Sequence, residues 1–197
     1  MKNKNTPLIM AFVFIVFTMA SFPVQKVNAQ DTLHFGQSVD EFEFTIPTDY
    51  DHKKQIDKFT KQVKNSKGTD YYNNDINSKN FSKTSNKLIP GKTYKVKIFP
   101  ILDTVKSEDC LAFLKQQNAF LVGAQGLTLL QSMKNDKFPL GTRIVSFDEK
   151  ESLWKDDDGN FRVPYIHHLS NGNWWFALGN FNYTLGKERY LLCFSEK

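Results

Sequence analysis

The final third of the chain constrains the fold most. Arg143 to Phe147, Phe161 to His168, Asn173 to Phe181 and Tyr190 to Phe194 are strand-like segments, separated by Asp158-Gly159, Asn171-Gly172 and Gly186. Such dipeptides supply the positive φ that tight turns require, so the pattern is that of hairpins. A stretch of this kind builds an antiparallel sheet, and the residues before it must help to cover that sheet.

Those earlier residues are mixed. Phe42 to Ile46 alternates apolar and polar side chains as a half-buried strand does, and Pro47-Thr48-Asp49 stops it. From Tyr50 to Lys64, the residues His52, Ile56, Phe59 and Val63 form one helical stripe among lysines, which predicts a basic amphipathic helix. Only three strong apolar residues line that stripe, so the helix is expected to dock on the protein's own sheet rather than on a membrane. Thr93 to Ile98 is a second alternating strand, ended by Pro100. Ser107 is read as the N-cap of a short helix with Glu108 and Asp109 in its first turn and Cys110, Leu111 and Leu114 as its apolar stripe. Phe120 to Val122 is expected as a brief strand, Gly123 to Gly126 as a tight turn, and Leu127 to Met133 as another helix. The fold class that follows is α+β: a mostly antiparallel sheet with two or three short helices packed on one face.

Residues 1–29 stand apart from that plan. Lys2 and Lys4 precede the apolar run Leu8 to Ala20, and Val27-Asn28-Ala29 offers a small-residue cleavage site. A run of this length spans about 20 Å as a helix, short of a hydrocarbon core of roughly 30 Å, so a cleaved signal peptide is expected rather than an anchor. The expected location is secreted or extracytoplasmic, the periplasm if the source is a Gram-negative bacterium, with no transmembrane segment after cleavage. Residues 30–64 are then an N-terminal strand and basic helix, and 65–87, with six Asn, four Ser and four Lys, an expected loop or linker. Residues 88–197 are the expected main domain.

Charge narrows the partners. Lys2, Lys4 and Lys26 leave with the signal peptide and no acidic residue does, so the formal net charge of +5 falls to +2. The excess that remains is local, with twelve lysines against Asp57, Asp70 and Asp75 between residues 53 and 97. No arginine lies there, and arginine is the usual choice for bidentate phosphate contacts, so specific nucleic-acid binding is not expected.

Four groups of residues could carry chemistry. Asp148, Glu149 and Glu151 with His167 as a base could form a hydrolytic site, although sequence does not supply the separation of the carboxylates. Gly123 and Gly126 could expose backbone amides to an anion at a helix start, but they lack the ending of a Walker loop. His167 and His168 point to opposite sheet faces, and no histidine shares a metal-ligand spacing with another, so neither a metal nor a cofactor is expected. Cys110 and Cys193 could pair in an exported protein, closing a loop of about 80 residues, or remain two buried thiols.

A fifth group is aromatic. In Trp174-Trp175-Phe176 the alternation sends Trp174 and Phe176 to one face and Trp175 to the other, so one tryptophan is expected to lack core cover. Trp175, joined by Trp154 or Tyr165, could stack on a sugar ring, a peptide or a partner protein. The leading expectation is therefore an exported non-catalytic binding or interaction module for an unknown protein, peptide or carbohydrate. An exported hydrolase using the acidic and histidine residues, and an envelope or secretion-associated structural protein, are the alternatives.

Overall fold

The computed structural model describes residues 34–64 and 66–197, and the expected signal segment 1–29 lies outside them. The elements run β1 (Asp40–Thr45), α1 (Gln55–Val63), β2 (Thr69–Tyr72), β3 (Thr93–Pro100), β4 (Val105–Lys106), α2 (Ser107–Gln116), α3 (Gly123–Lys134), β5 (Thr142–Val145), β6 (Trp154–Lys155), β7 (Phe161–His168), β8 (Trp174–Asn180), β9 (Thr184–Leu185) and β10 (Arg189–Glu196). Among the described residues, eight strands form one sheet in the order β1-β3-β10-β5-β7-β8-β2, with β6 beside β7, and β4 pairs with β9 separately. Pairing is antiparallel except for β10 with β5 and β2 with β8. The Asn171-Gly172 turn joins β7 to β8 with Gly172 at φ +83°, a conformation glycine adopts without steric cost.

Alternation along the strands divides the apolar residues between two cores. Phe44, Val96, Ile98, Ile144, Ile166, Phe176 and Phe194 point to one face, beneath α1 and α3. Val145, Val163, Leu191 and Cys193 point to the other, where Phe35, Phe113 and Leu114 cover its middle. Each such side chain contributes about 1.5–3 kcal/mol when fully removed from water. The α1 stripe docks inward as expected: Ile56, Phe59 and Val63 are buried, and the Phe59 ring meets Phe176 edge-on at 4.8 Å.

The α+β expectation with a mostly antiparallel sheet holds, but the expectation that the helices pack on one face is corrected: α2 lies on the face opposite α1 and α3. Central strand β10 buries both of its faces, Leu192 and Phe194 on one side and Leu191 and Cys193 on the other, so each face requires a cover. Among the described residues, no helix is long and apolar enough to cross a membrane.

Three local expectations are corrected, and one open alternative is decided. The segment read as a linker contributes edge strand β2 and buries Ile76 and Phe81 in the same core as α1, while β1 pairs directly with β3, so residues 34–64 and 88–197 share one sheet. Its few apolar residues suffice because they land on a surface that already exists. Gly123 to Gly126 form the first turn of α3 rather than a free turn, and a Cβ on Gly126 would collide with the Val122 side chain. Ser107 is the first residue inside α2 rather than its cap: Lys106 takes the extended cap position, and its N–H donates to Asp109. Cys110 and Cys193 are unpaired, both buried in the core under α2, and burial pushes each thiol up to about 12.

Candidate functional site

The antiparallel register of β7 and β8 sets Trp175 opposite His167, and the parallel register of β2 sets Tyr71 beside Trp175 on the same face. The His167 and Tyr71 rings meet Trp175 edge-on or nearly so, with centroids 6.0 and 6.1 Å away. Trp175 and Tyr71 keep 41% and 46% of their surface exposed, whereas Trp174, stacked on His168 at 3.9 Å on the opposite face, keeps 8%. Alternation therefore separates the two tryptophans as expected. Exposed Trp175 and Tyr71, with half-buried His167, form an aromatic shelf on the part of the sheet that α2 leaves uncovered.

Charge surrounds the shelf without crowding it. Arg143 stands opposite His167 in the β5–β7 register and meets Glu188 at 3.2 Å, while Arg189 lies 3.6 Å from the same carboxylate. Burial first, then Arg143 and His168, hold the His167 pKa below the ordinary histidine value, so its ring is neutral at pH 7. His167 Nδ1 is buried with no hydrogen-bond partner among the described residues. Tyr165 occupies the next rung on the shelf side, about 7 Å along the strand, and forms part of the wall of a cavity of about 100 Å³. A larger concavity of about 1000 Å³ lies elsewhere, an open groove along α1 and α3. The groove's charges are locally matched, Lys54 to Asp51 at 3.1 Å and Lys58 to Asp49 at 3.7 Å.

The other candidate residues fall apart in space. Trp154 packs into the helical core against Phe81, with centroids 6.3 Å apart, and so lies away from Trp175; its partner Arg162 is on the face opposite Tyr165. Asp148 follows β5, and because Arg143 is the residue opposite His167, the carboxylate lies roughly 16 Å from His167 along the strand direction. Asp148 is buried and accepts hydrogen bonds from the Ser85 and Glu149 N–H groups at 3.0 and 2.8 Å. Burial is the dominant cause that raises its pKa to about 6, against those hydrogen bonds, which lower it. Glu149 pairs with Lys115 at 2.9 Å, and Glu151 is exposed.

At Gly123 the helix start is occupied by the protein itself. Its N–H donates to the Phe147 carbonyl at 3.1 Å, and a Cβ there would meet the Asp148 carboxylate at 3.3 Å. A carboxylate at that end of α3 repels an incoming anion. Among the described residues, no group of three His, Cys, Asp or Glu side chains is placed to hold a metal ion.

The Tyr71-Tyr72 segment, open from the sequence as a cover for Trp175, does lie beside it, whereas sequence reasoning did not place Arg143 and Arg189 here. The Tyr71-Tyr72 pair held a signal, since two adjacent aromatics in a polar segment mark a strand with both faces in use. The arginines carried none, because only the register brings them to the shelf. No family model, no curated protein and no solved structure matches this chain.

Proposed function

We propose that the chain is an exported, non-catalytic binding module that recognises a protein, peptide or carbohydrate through the shelf of Tyr71, Trp175 and His167. The observation that carries this reading is the pairing of half-exposed Trp175 and Tyr71 on an open sheet face. Tryptophan and tyrosine dominate the energetics of recognition surfaces because they bury large areas and lose few rotamers on binding. A neutral His167 ring extends the apolar area, and the arginines at its edge supply donors to a polar rim. Export is supported by the charged start, the apolar run Leu8 to Ala20 and the Val27-Asn28-Ala29 site.

The test is to immobilise the full chain and its Trp175→Ala variant and present arrays of peptides and oligosaccharides to both. A ligand held by the wild type should bind the variant at least ten-fold more weakly, with circular dichroism and melting unchanged. Equal binding by a folded Trp175→Ala variant would remove the shelf as the recognition surface.

A further inference from the structure

The cavity beside the shelf has a size, a floor and a rim, and together they specify a ligand. Its volume of about 100 Å³ is the share of roughly three water molecules in the liquid, enough for three or four carbon atoms. Val145, Phe147, Val163 and Leu185 make the interior apolar, which favours a hydrocarbon group over water. Of the described residues that line it, Arg189 alone is charged. The Arg189 guanidinium has five donors, and its contacts to the Thr184 carbonyl at 3.4 Å and Glu188 at 3.6 Å are both long. Glu188 is shared by Arg143 and Arg189, so the three groups leave one positive charge at the rim.

Ser107 adds an independent observation. It is 1% exposed, lies in the wall of the same cavity, and its hydroxyl has no hydrogen-bond partner among the described residues. A buried hydroxyl without a partner costs free energy that a ligand oxygen would recover. The acidic residues of the α2 first turn are engaged elsewhere, Asp109 by the Lys106 N–H at 3.2 Å and Glu108 by Lys150 at 3.8 Å.

We propose that this cavity binds an aliphatic carboxylate, a branched group of three or four carbons whose carboxylate is met by Arg189 and Ser107. The inference rests on reading this face as the recognition surface. Two sources share that chemistry, a free branched-chain acid and the C-terminal valine or leucine of a peptide. In the second case the cavity takes the last side chain and the preceding residues cross the shelf one rung away, over His167 and Trp175.

The full chain is titrated with isovalerate, with the uncharged isostere 3-methylbutanol, with acetyl-Gly-Gly-Val and with the C-terminal amide of that peptide, following the amide resonances of Ser107, Gly179 and Leu185. Isovalerate should bind at roughly millimolar concentration, as a ligand of its size does, and the alcohol at least ten-fold more weakly. A peptide acid that binds ten-fold tighter than isovalerate, with the gain lost in its amide, identifies a chain terminus as the source; equal affinities identify the free acid. Arg189→Gln should weaken isovalerate at least ten-fold.

Gly179 provides the steric test, because a Cβ there meets only the Val163 carbonyl at 3.8 Å and the Tyr165 ring at 4.0 Å. Gly179→Val should fold and lose isovalerate binding ten-fold or more, and Gly179→Ala, the smaller intrusion, should lose it several-fold. Binding of the alcohol equal to that of the acid, or unchanged binding in either folded Gly179 variant, would overturn the proposal. Trp175→Ala should leave isovalerate within two-fold of wild type, since the small acid does not reach the shelf. Failure of the cavity and failure of the shelf are thus read separately.

Discussion

Two flanks of the same sheet face escape the cover of α2, and they are finished in opposite ways. On the β1–β3 flank, Glu41 pairs with Lys95 at 3.1 Å and Lys97 at 3.2 Å, and Glu43 with Lys197 at 3.0 Å. On the β7–β8–β2 flank stand Trp175, Tyr71 and His167. Both flanks meet solvent on strands of similar alternation, so backbone geometry does not require aromatics at either place. Crossed ion pairs leave a surface that water satisfies and that edge pairing avoids. The aromatic flank leaves apolar area in water, as the proposed recognition surface requires.

The comparison breaks most visibly if the exposed aromatics prove structural. Trp174→Ala should destabilise the fold by about 3–5 kcal/mol in urea denaturation, because Trp174 is packed against Phe138 and His168. Trp175→Ala should cost about 1 kcal/mol or less. Equal large losses would mean that the shelf belongs to the core.

Carboxylates repeat the contrast at smaller scale. Asp148 is buried and its pKa raised from the ordinary 3.8 to about 6, so the folded state takes up its proton before the unfolded state does. Its contribution to stability is fully present below about pH 4 and is lost as pH rises through about 6, by at most about 3 kcal/mol. Stability of wild type minus that of Asp148→Asn, measured in urea from pH 3.5 to 7.5, should fall across that window. A flat difference would show that Asp148 does not titrate there. Glu41 lies on the surface, where hydrogen bonds from Lys95 and Lys97 lower its pKa. Glu41→Gln should leave the urea midpoint within experimental error, since exposed pairs are solvated and screened. A clear loss would show that the charged flank holds the sheet together.

Much of the architecture was legible because it depends on local alternation. Tyr94, Val96 and Ile98 announced β3, and the adjacency of Trp174 and Trp175 announced that the two rings would part to opposite faces, since period two fixes the side of a strand whatever its neighbours. Strand neighbours were not legible. Tyr71 reaches Trp175 only because β2 adds to the sheet edge parallel to β8, a pairing between residues about a hundred positions apart. Ile76 and Phe81 looked too sparse to order their segment, because the core they join is made by other elements. Ser107 had the residue type of a cap, but the extended residue before it took that position.

The place of β10 has a consequence in time. It lies in the middle of the sheet, between β3 and β5, yet it is the last strand of the sheet to leave the ribosome. Until it arrives, β1–β3 and β5–β7–β8–β2 are two separate half-sheets, each with an unpaired edge where β10 will bind. Closure depends on contacts between distant parts of the chain, which form slowly. The sheet therefore cannot close into one piece until the chain has been made as far as β10.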